Sequence, residues 1–113
     1  MDPSAWLNGM DVAITVCDRD GIIVYMNDQA TRTFSADGGK ALLGKNLWAC
    51  HPEAANEKIR RLMEMGADNS YTIEKNGLRK LIHQVAWREN GELAGLVEFS
   101  FVIPRVLPHF VRG

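Results

Sequence analysis

Asn76-Gly77 stands between two β-rich segments, Ser70 to Lys75 and Leu78 to Arg88. Asn-Gly is the dipeptide best suited to a two-residue hairpin, because both central residues of that turn take positive φ. The two segments must therefore lie side by side and antiparallel. A second break, Glu89-Asn90-Gly91-Glu92, turns the chain again into Leu93 to Ile103, its most apolar segment, and Pro104 ends it. The second half of the chain is thus a three-stranded meander.

The first half opens with another hairpin. Val12 to Cys17 and Ile22 to Met26 are short β-branched runs joined by Asp18-Arg19-Asp20-Gly21. Asn27-Asp28 follows at once, and an Asn or Asp at a helix start accepts free backbone N–H groups, so a short helix runs to Phe34. Asp37-Gly38-Gly39 breaks it, a helical turn surrounds Ala41-Leu42-Leu43, and Gly44 breaks the chain again. Pro52 to Met65 is the longest helix. Ile59, Leu62, Met63 and Gly66 fall at i, i+3, i+4, i+7 on one side, with Glu57, Lys58, Arg60, Arg61 and Glu64 opposite. Gly66 is placed to end it. Ahead of everything, Asp2-Pro3-Ser4 starts a short helix carrying Trp6, Leu7 and Met10. The order is β-β, short helices, one longer helix, then the meander. This is an α+β domain: a five-stranded antiparallel sheet with short helices packed on one face. Residues 12–104 form that domain, 1–11 a capping helix and linker, and 105–113 a tail.

Charge narrows the function. Thirteen basic and fourteen acidic residues are interleaved to a net charge of −1. Nucleic-acid binders concentrate positive charge in a patch, and here the densest spots are the pairs Arg60-Arg61 and Arg79-Lys80. No nucleic-acid partner is expected. No apolar run reaches the ~20 residues of a membrane span, and the acidic start lacks the layout of a signal peptide. Cys17 and Cys50 fit neither a metal-ligand spacing nor a disulfide framework. The expectation is a cytoplasmic protein with no membrane partner.

With the elements in place, the chain resembles a PAS domain over about residues 12–104. The pieces that carry the likeness are Asp18-Arg19-Asp20-Gly21, a second strand ending in Asn27, and Asn27-Asp28-Gln29-Ala30 opening a helix. Gly44-Lys45-Asn46, His51-Pro52 and Asn90-Gly91-Glu92-Leu93 follow in the family's order. The resemblance implies a sheet with helices folded over one face. Some members hold haem, flavin or a small metabolite between the two, and others only dimerise or pass on a signal. Fold alone does not choose among these.

The chemistry-bearing residues choose little further. Flavin photosensors of the family carry Cys directly after the Asn of the Gly-x-Asn segment, where this chain has Leu47; Cys50 lies three residues on and reads as a packed hydrophobe. Family haem sensors often take an axial His from the long helix, and Pro52 to Met65 contains none. His51 precedes it, Met63 sits on its apolar stripe, and His83 lies on a strand. No covalently bound cofactor is assigned, and neither haem nor flavin is favoured. Cys50-His51 are neighbours that point in different directions along a helix. No phosphate loop and no hydrolase or zinc-protease signature is present. A binding module, not an enzyme, is expected.

Strand alternation divides the sheet residues into two sets. Lys80, Ile82, Gln84 and Ala86 share one face with Leu96, Glu98, Ser100 and Val102. Leu81, His83, Val85 and Trp87 share the other with Val97, Phe99, Phe101 and Ile103. Matching strand ends to the family turns the Gln84 and Ser100 set toward the helices; a one-residue slip would exchange the faces. The resemblance then gives a ligand pocket with Trp48, Ile59, Leu62 and Met63 on the helical side. Thr72, Ile82, Gln84 and Ser100 face them from the sheet. The same side chains can instead fill the core completely. An outward row of Val85, Trp87, Phe99 and Phe101 needs cover, which Trp6, Leu7, Met10 and a second subunit would provide. The expected function is a homodimeric sensory module that binds a small molecule and acts on a signalling protein in trans or within a longer chain. The alternatives are a ligand-free interaction module and a haem or redox sensor.

Overall fold

The computed structural model describes residues 2–46 and 53–113, apart from the side chain of Ala55. Helix α1 (Pro3–Asn8) is capped by Asp2, whose carboxylate accepts from the Ser4 backbone N–H at 3.0 Å. Strands β1 (Ala13–Asp18) and β2 (Ile23–Met26) form the first hairpin, and α2 (Asp28–Thr33) follows. Two 3-10 turns, Ser35–Asp37 and Gly39–Leu42, lead toward α3 (Glu53–Met65). Then come β3 (Asn69–Lys75), β4 (Leu78–Glu89) and β5 (Glu92–Ile103). No described helix is long and apolar enough to cross a membrane.

The sheet order is β2-β1-β5-β4-β3, antiparallel throughout. First and last strands are thus neighbours at the centre. Both meander turns are two-residue loops with positive φ at each position: Asn76 at 53° and Gly77 at 78°, Asn90 at 53° and Gly91 at 81°. Those are the angles an Asn-Gly hairpin requires. The second turn is tighter than the four residues read from the sequence, because Glu89 and Glu92 still pair. In the first hairpin, Asp18 Oδ1 accepts from the backbone N–H groups of Asp20 and Ile22, at 2.9 and 3.0 Å, and so shapes the turn.

Asn27 is the junction of the first half. It is completely buried, and all four of its side-chain hydrogen-bonding positions are filled. Its Oδ1 accepts from Ile14 N at 2.9 Å and Ala30 N at 3.0 Å. Its Nδ2 donates to the carbonyls of Leu7 and Val12, at 2.8 and 2.7 Å. One side chain therefore caps α2, joins it to β1 and ties down the segment after α1. Asn8 Oδ1 adds a bond from Asp28 N at 2.9 Å, and α1 packs against α2.

At its far end α3 closes with Gly66 at a φ of 60°. Gly66 N donates to Met63 O and Ala67 N to Leu62 O, the paired bonds of a glycine-ended helix. Two apolar clusters hold the layers together. Ala13, Ile23, Met26 and Ala30 form one, with Phe34 and Leu42 against it. Cys17, Ile59, Met63 and Leu96 form the other, with Leu62 and Leu93 against it. Each fully buried Ile, Leu or Met contributes roughly 1.5–3 kcal/mol, so the second cluster is what seats α3 on the sheet.

Candidate functional site

Between the two clusters, the described residues leave a cavity of about 660 Å³ above the sheet. Its apolar walls come from both sides: Ile23, Met26, Phe34 and Leu42 from the first cluster, Cys17, Ile59 and Leu96 from the second. Its polar lining is concentrated in one row of the sheet. Thr15 pairs with Glu98, Glu98 with Gln84 and Gln84 with Asn69, so four strands contribute one residue each. All four line the cavity.

That row is hydrogen-bonded in one direction. Asn69 Nδ2 donates to Gln84 Oε1 at 3.0 Å, and Gln84 Nε2 donates to Glu98 Oε2 at 2.9 Å. Since a carboxylate only accepts, Gln84 can be oriented in just one way. Among the described residues, Asp37, Lys58 and Tyr71 also line the cavity. Lys58 Nζ lies 6.0 Å from the centre of the Tyr71 ring, within cation–π range. Burial, and secondly the negative charge of Glu98, push the Tyr71 phenol up, so it stays a hydrogen-bond donor at neutral pH. Burial likewise pushes the Cys17 thiol up, which keeps it protonated and a poor nucleophile.

The structure brings together part of the site read from the sequence. Ile59 and Gln84 line the cavity. Met63 lies in the second cluster with the lining residues Ile59 and Leu96, and Leu62 packs against it. Ile82 and Ser100 are buried in the adjoining row, which runs Ala13, Ser100, Ile82, Tyr71. Thr72 is displaced: it pairs with Leu81 on the outer face and is exposed, while Tyr71 pairs with Ile82 and takes the inward place. One residue along a strand is a change of face. Trp48 lies outside the described residues, as do Leu47, Cys50, His51 and Pro52.

Thr15, Asn69 and Tyr71 line the cavity without having been expected there, and Glu98, expected only on the inward face, lines it too. A signal existed for two of them. Glu98 is an acid in the middle of the most apolar strand, and Tyr71 with Ile73 is the apolar alternate set of β3.

On the opposite face Val85 pairs with Val97, His83 with Phe99 and Leu81 with Phe101. Val85, Trp87, Phe99 and Phe101 are all half-buried there. Leu7 and Met10 are half-buried as well, whereas Trp6 is 53% exposed.

A family model described as PAS domain matches residues 11–96. No curated protein matches the chain. Among solved structures, the C-terminal domain of a Streptococcus mutans protein superposes with a TM-score of 0.73 at 23% identity, covering 88% of this chain and 81% of that one. The PAS domain of the histidine kinase ThkA gives 0.65 at 19% identity, over 80% of this chain and 97% of that one. Vibrio cholerae VqmA bound to DPO gives 0.69 at 15% identity, over 89% of this chain and 56% of that one. These likenesses establish the five-stranded antiparallel fold with its few short helices. With the family model spanning most of its length, the chain belongs to the PAS domain family, typical of sensory signalling modules in histidine kinases and receptors.

Proposed function

We propose that this PAS domain works by binding a small, largely apolar molecule between α3 and the sheet, without turning it over, and by pairing with a second copy through its outer sheet face. The cavity carries the reading. Small-molecule sites are typically clefts of about 300–1,000 Å³ with apolar walls and a few placed polar groups, and the 660 Å³ space with its single polar row has that character. A protonated Cys17 thiol in the wall favours holding a molecule over reacting with it.

A route from ligand to partner follows from strand geometry. Gln84 and Glu98 face the cavity, and their neighbours Val85, Val97 and Phe99 stand on the outer face of the same two strands. A ligand that repositions α3 or spreads the inner row must therefore move outer-face side chains. Half-buried apolar residues there suit a self-complementary contact. A solved structure of VqmA bound to DPO gives a neighbour of this fold that holds a ligand, and the ThkA domain is part of a histidine kinase. Both support a sensory reading.

Native mass spectrometry of gently purified protein tests it. The expected species is a dimer carrying non-covalent mass beyond two chains. A bare monomer overturns the proposal, and a bare dimer overturns its ligand half.

A further inference from the structure

We infer that the molecule held in this cavity is a cation with an apolar body, and that its ammonium or protonated ring N–H seats on the Glu98 carboxylate. The inference rests on reading the cavity as a ligand site and specifies what enters it.

The polar row fixes the chemistry that remains open. Asn69 uses an amide N–H on Gln84, and Gln84 uses one on Glu98, so side-chain donors along the row are directed at the carboxylate. The hydrogen-bonded run thus ends on an acceptor. Glu98 itself is half-buried, flanked along its row by Thr15 and Gln84, and the buried Leu96 stands two residues away on the same face. Among the described residues, no Lys, Arg or His forms an ion pair with it. Gln84 gives this carboxylate a hydrogen bond but no counter-charge; carboxylates withdrawn from water are normally paired with one, and a cationic ligand supplies it.

The other charges agree. Lys58 is the one basic group lining the cavity, among its described residues, against the two acids Asp37 and Glu98. Lys58 is exposed on α3 with its ammonium near the Tyr71 ring. An anionic ligand reaching for Lys58 would face Glu98 across the same space. A cation meets the Glu98 carboxylate, while Met26, Ile59 and Leu96 are there to take the apolar body. Charge-assisted bonds in such surroundings exceed neutral ones.

Three indoles of matched shape test the claim by titration calorimetry: tryptamine, neutral 3-ethylindole and indole-3-acetate. On the wild-type protein, tryptamine should bind about tenfold more tightly than 3-ethylindole, the step expected of one charge-assisted hydrogen bond. Indole-3-acetate should bind weakest. Glu98→Gln keeps an acceptor for Gln84 and removes the charge; it should erase the tryptamine advantage over 3-ethylindole. The wild-type ranking stands as a test even if that variant folds poorly. Equal binding of tryptamine and 3-ethylindole, or tightest binding of indole-3-acetate, overturns the cation inference and leaves the ligand site intact. No binding by any of the three removes the ligand site and the inference with it.

Discussion

The indole N–H of Trp87 donates to the backbone carbonyl of Cys17, 3.1 Å away and seventy residues earlier in the chain. Trp87 is on β4 and Cys17 on β1, so the bond crosses β5, and it does so at Gly95, the β5 residue that pairs with both Trp87 and Asp18. A Cβ there would collide with the Cys17 carbonyl oxygen and stand 2.7 Å from Trp87 Nε1 and 2.9 Å from the Asp18 Cα. The glycine is what allows three strands to be tied together by one ring. Gly95→Ala should therefore destabilise the fold by about 2–4 kcal/mol in urea denaturation, the cost of forcing volume into a packed site against backbone. Trp87→Phe should cost less. A Gly95→Ala protein as stable as the wild type would mean the strands separate freely here.

Asn27 offers a second test, through its polarity. Asn27→Ala removes four hydrogen bonds, two of them fully buried, and should cost about 3–5 kcal/mol. Asn27→Asp keeps the acceptor for Ile14 and Ala30 but turns an oxygen toward the carbonyls of Leu7 and Val12. It should be clearly destabilised at neutral pH and regain part of the loss in acid, where a protonated oxygen can donate to one carbonyl. Urea midpoints across the acid range measure this. Wild-type stability of Asn27→Asp at neutral pH would contradict the bonding described.

Cys17 and Tyr71 set the alkaline behaviour. Burial raises both groups in the folded state above their unfolded values. A group raised on folding binds its proton more firmly in the native form, so its contribution is whole below the unfolded pKa and is lost as pH rises through the folded one. Stability should thus begin to fall as pH passes about 8.5 for the thiol and about 10 for the phenol. Cys17→Ala should show a shallower decline across the thiol range than the wild type, whatever its offset at neutral pH. Parallel curves would show that Cys17 does not titrate differently on folding.

Local chemistry explains what the sequence disclosed and what it withheld. Asn76-Gly77, Asn90-Gly91 and Gly66 act through their own backbone angles, so turns and a helix end could be read from them directly. Asn27 was legible as the cap of α2, since Ala30 is three residues on. Its bonds to Ile14, Leu7 and Val12 reach 13, 20 and 15 residues away and leave no local trace. Alternation sorted Gln84 and Ser100 inward, because β4 and β5 are long enough to fix a face. Edge strand β3 is short and exposed along most of its length, so its hydrophobic pattern is weak and does not separate Tyr71 from Thr72. Glu98 was assigned to the inward set, but its meaning appeared only when the register placed Thr15, Gln84 and Asn69 in line with it.

If the space between the two apolar clusters accepts a small molecule, methyl groups on both of its sides respond to one. Methyl-resolved NMR during titration with 3-ethylindole tests it most directly, without help from charge. Ile23, Met26, Ile59 and Leu96, which line the cavity from both clusters, should shift together along one saturable curve, while Val102 and Val106, 52% and 83% exposed, stay in place. Movement confined to exposed methyls, or no saturable movement up to the solubility of the probe, would contradict it.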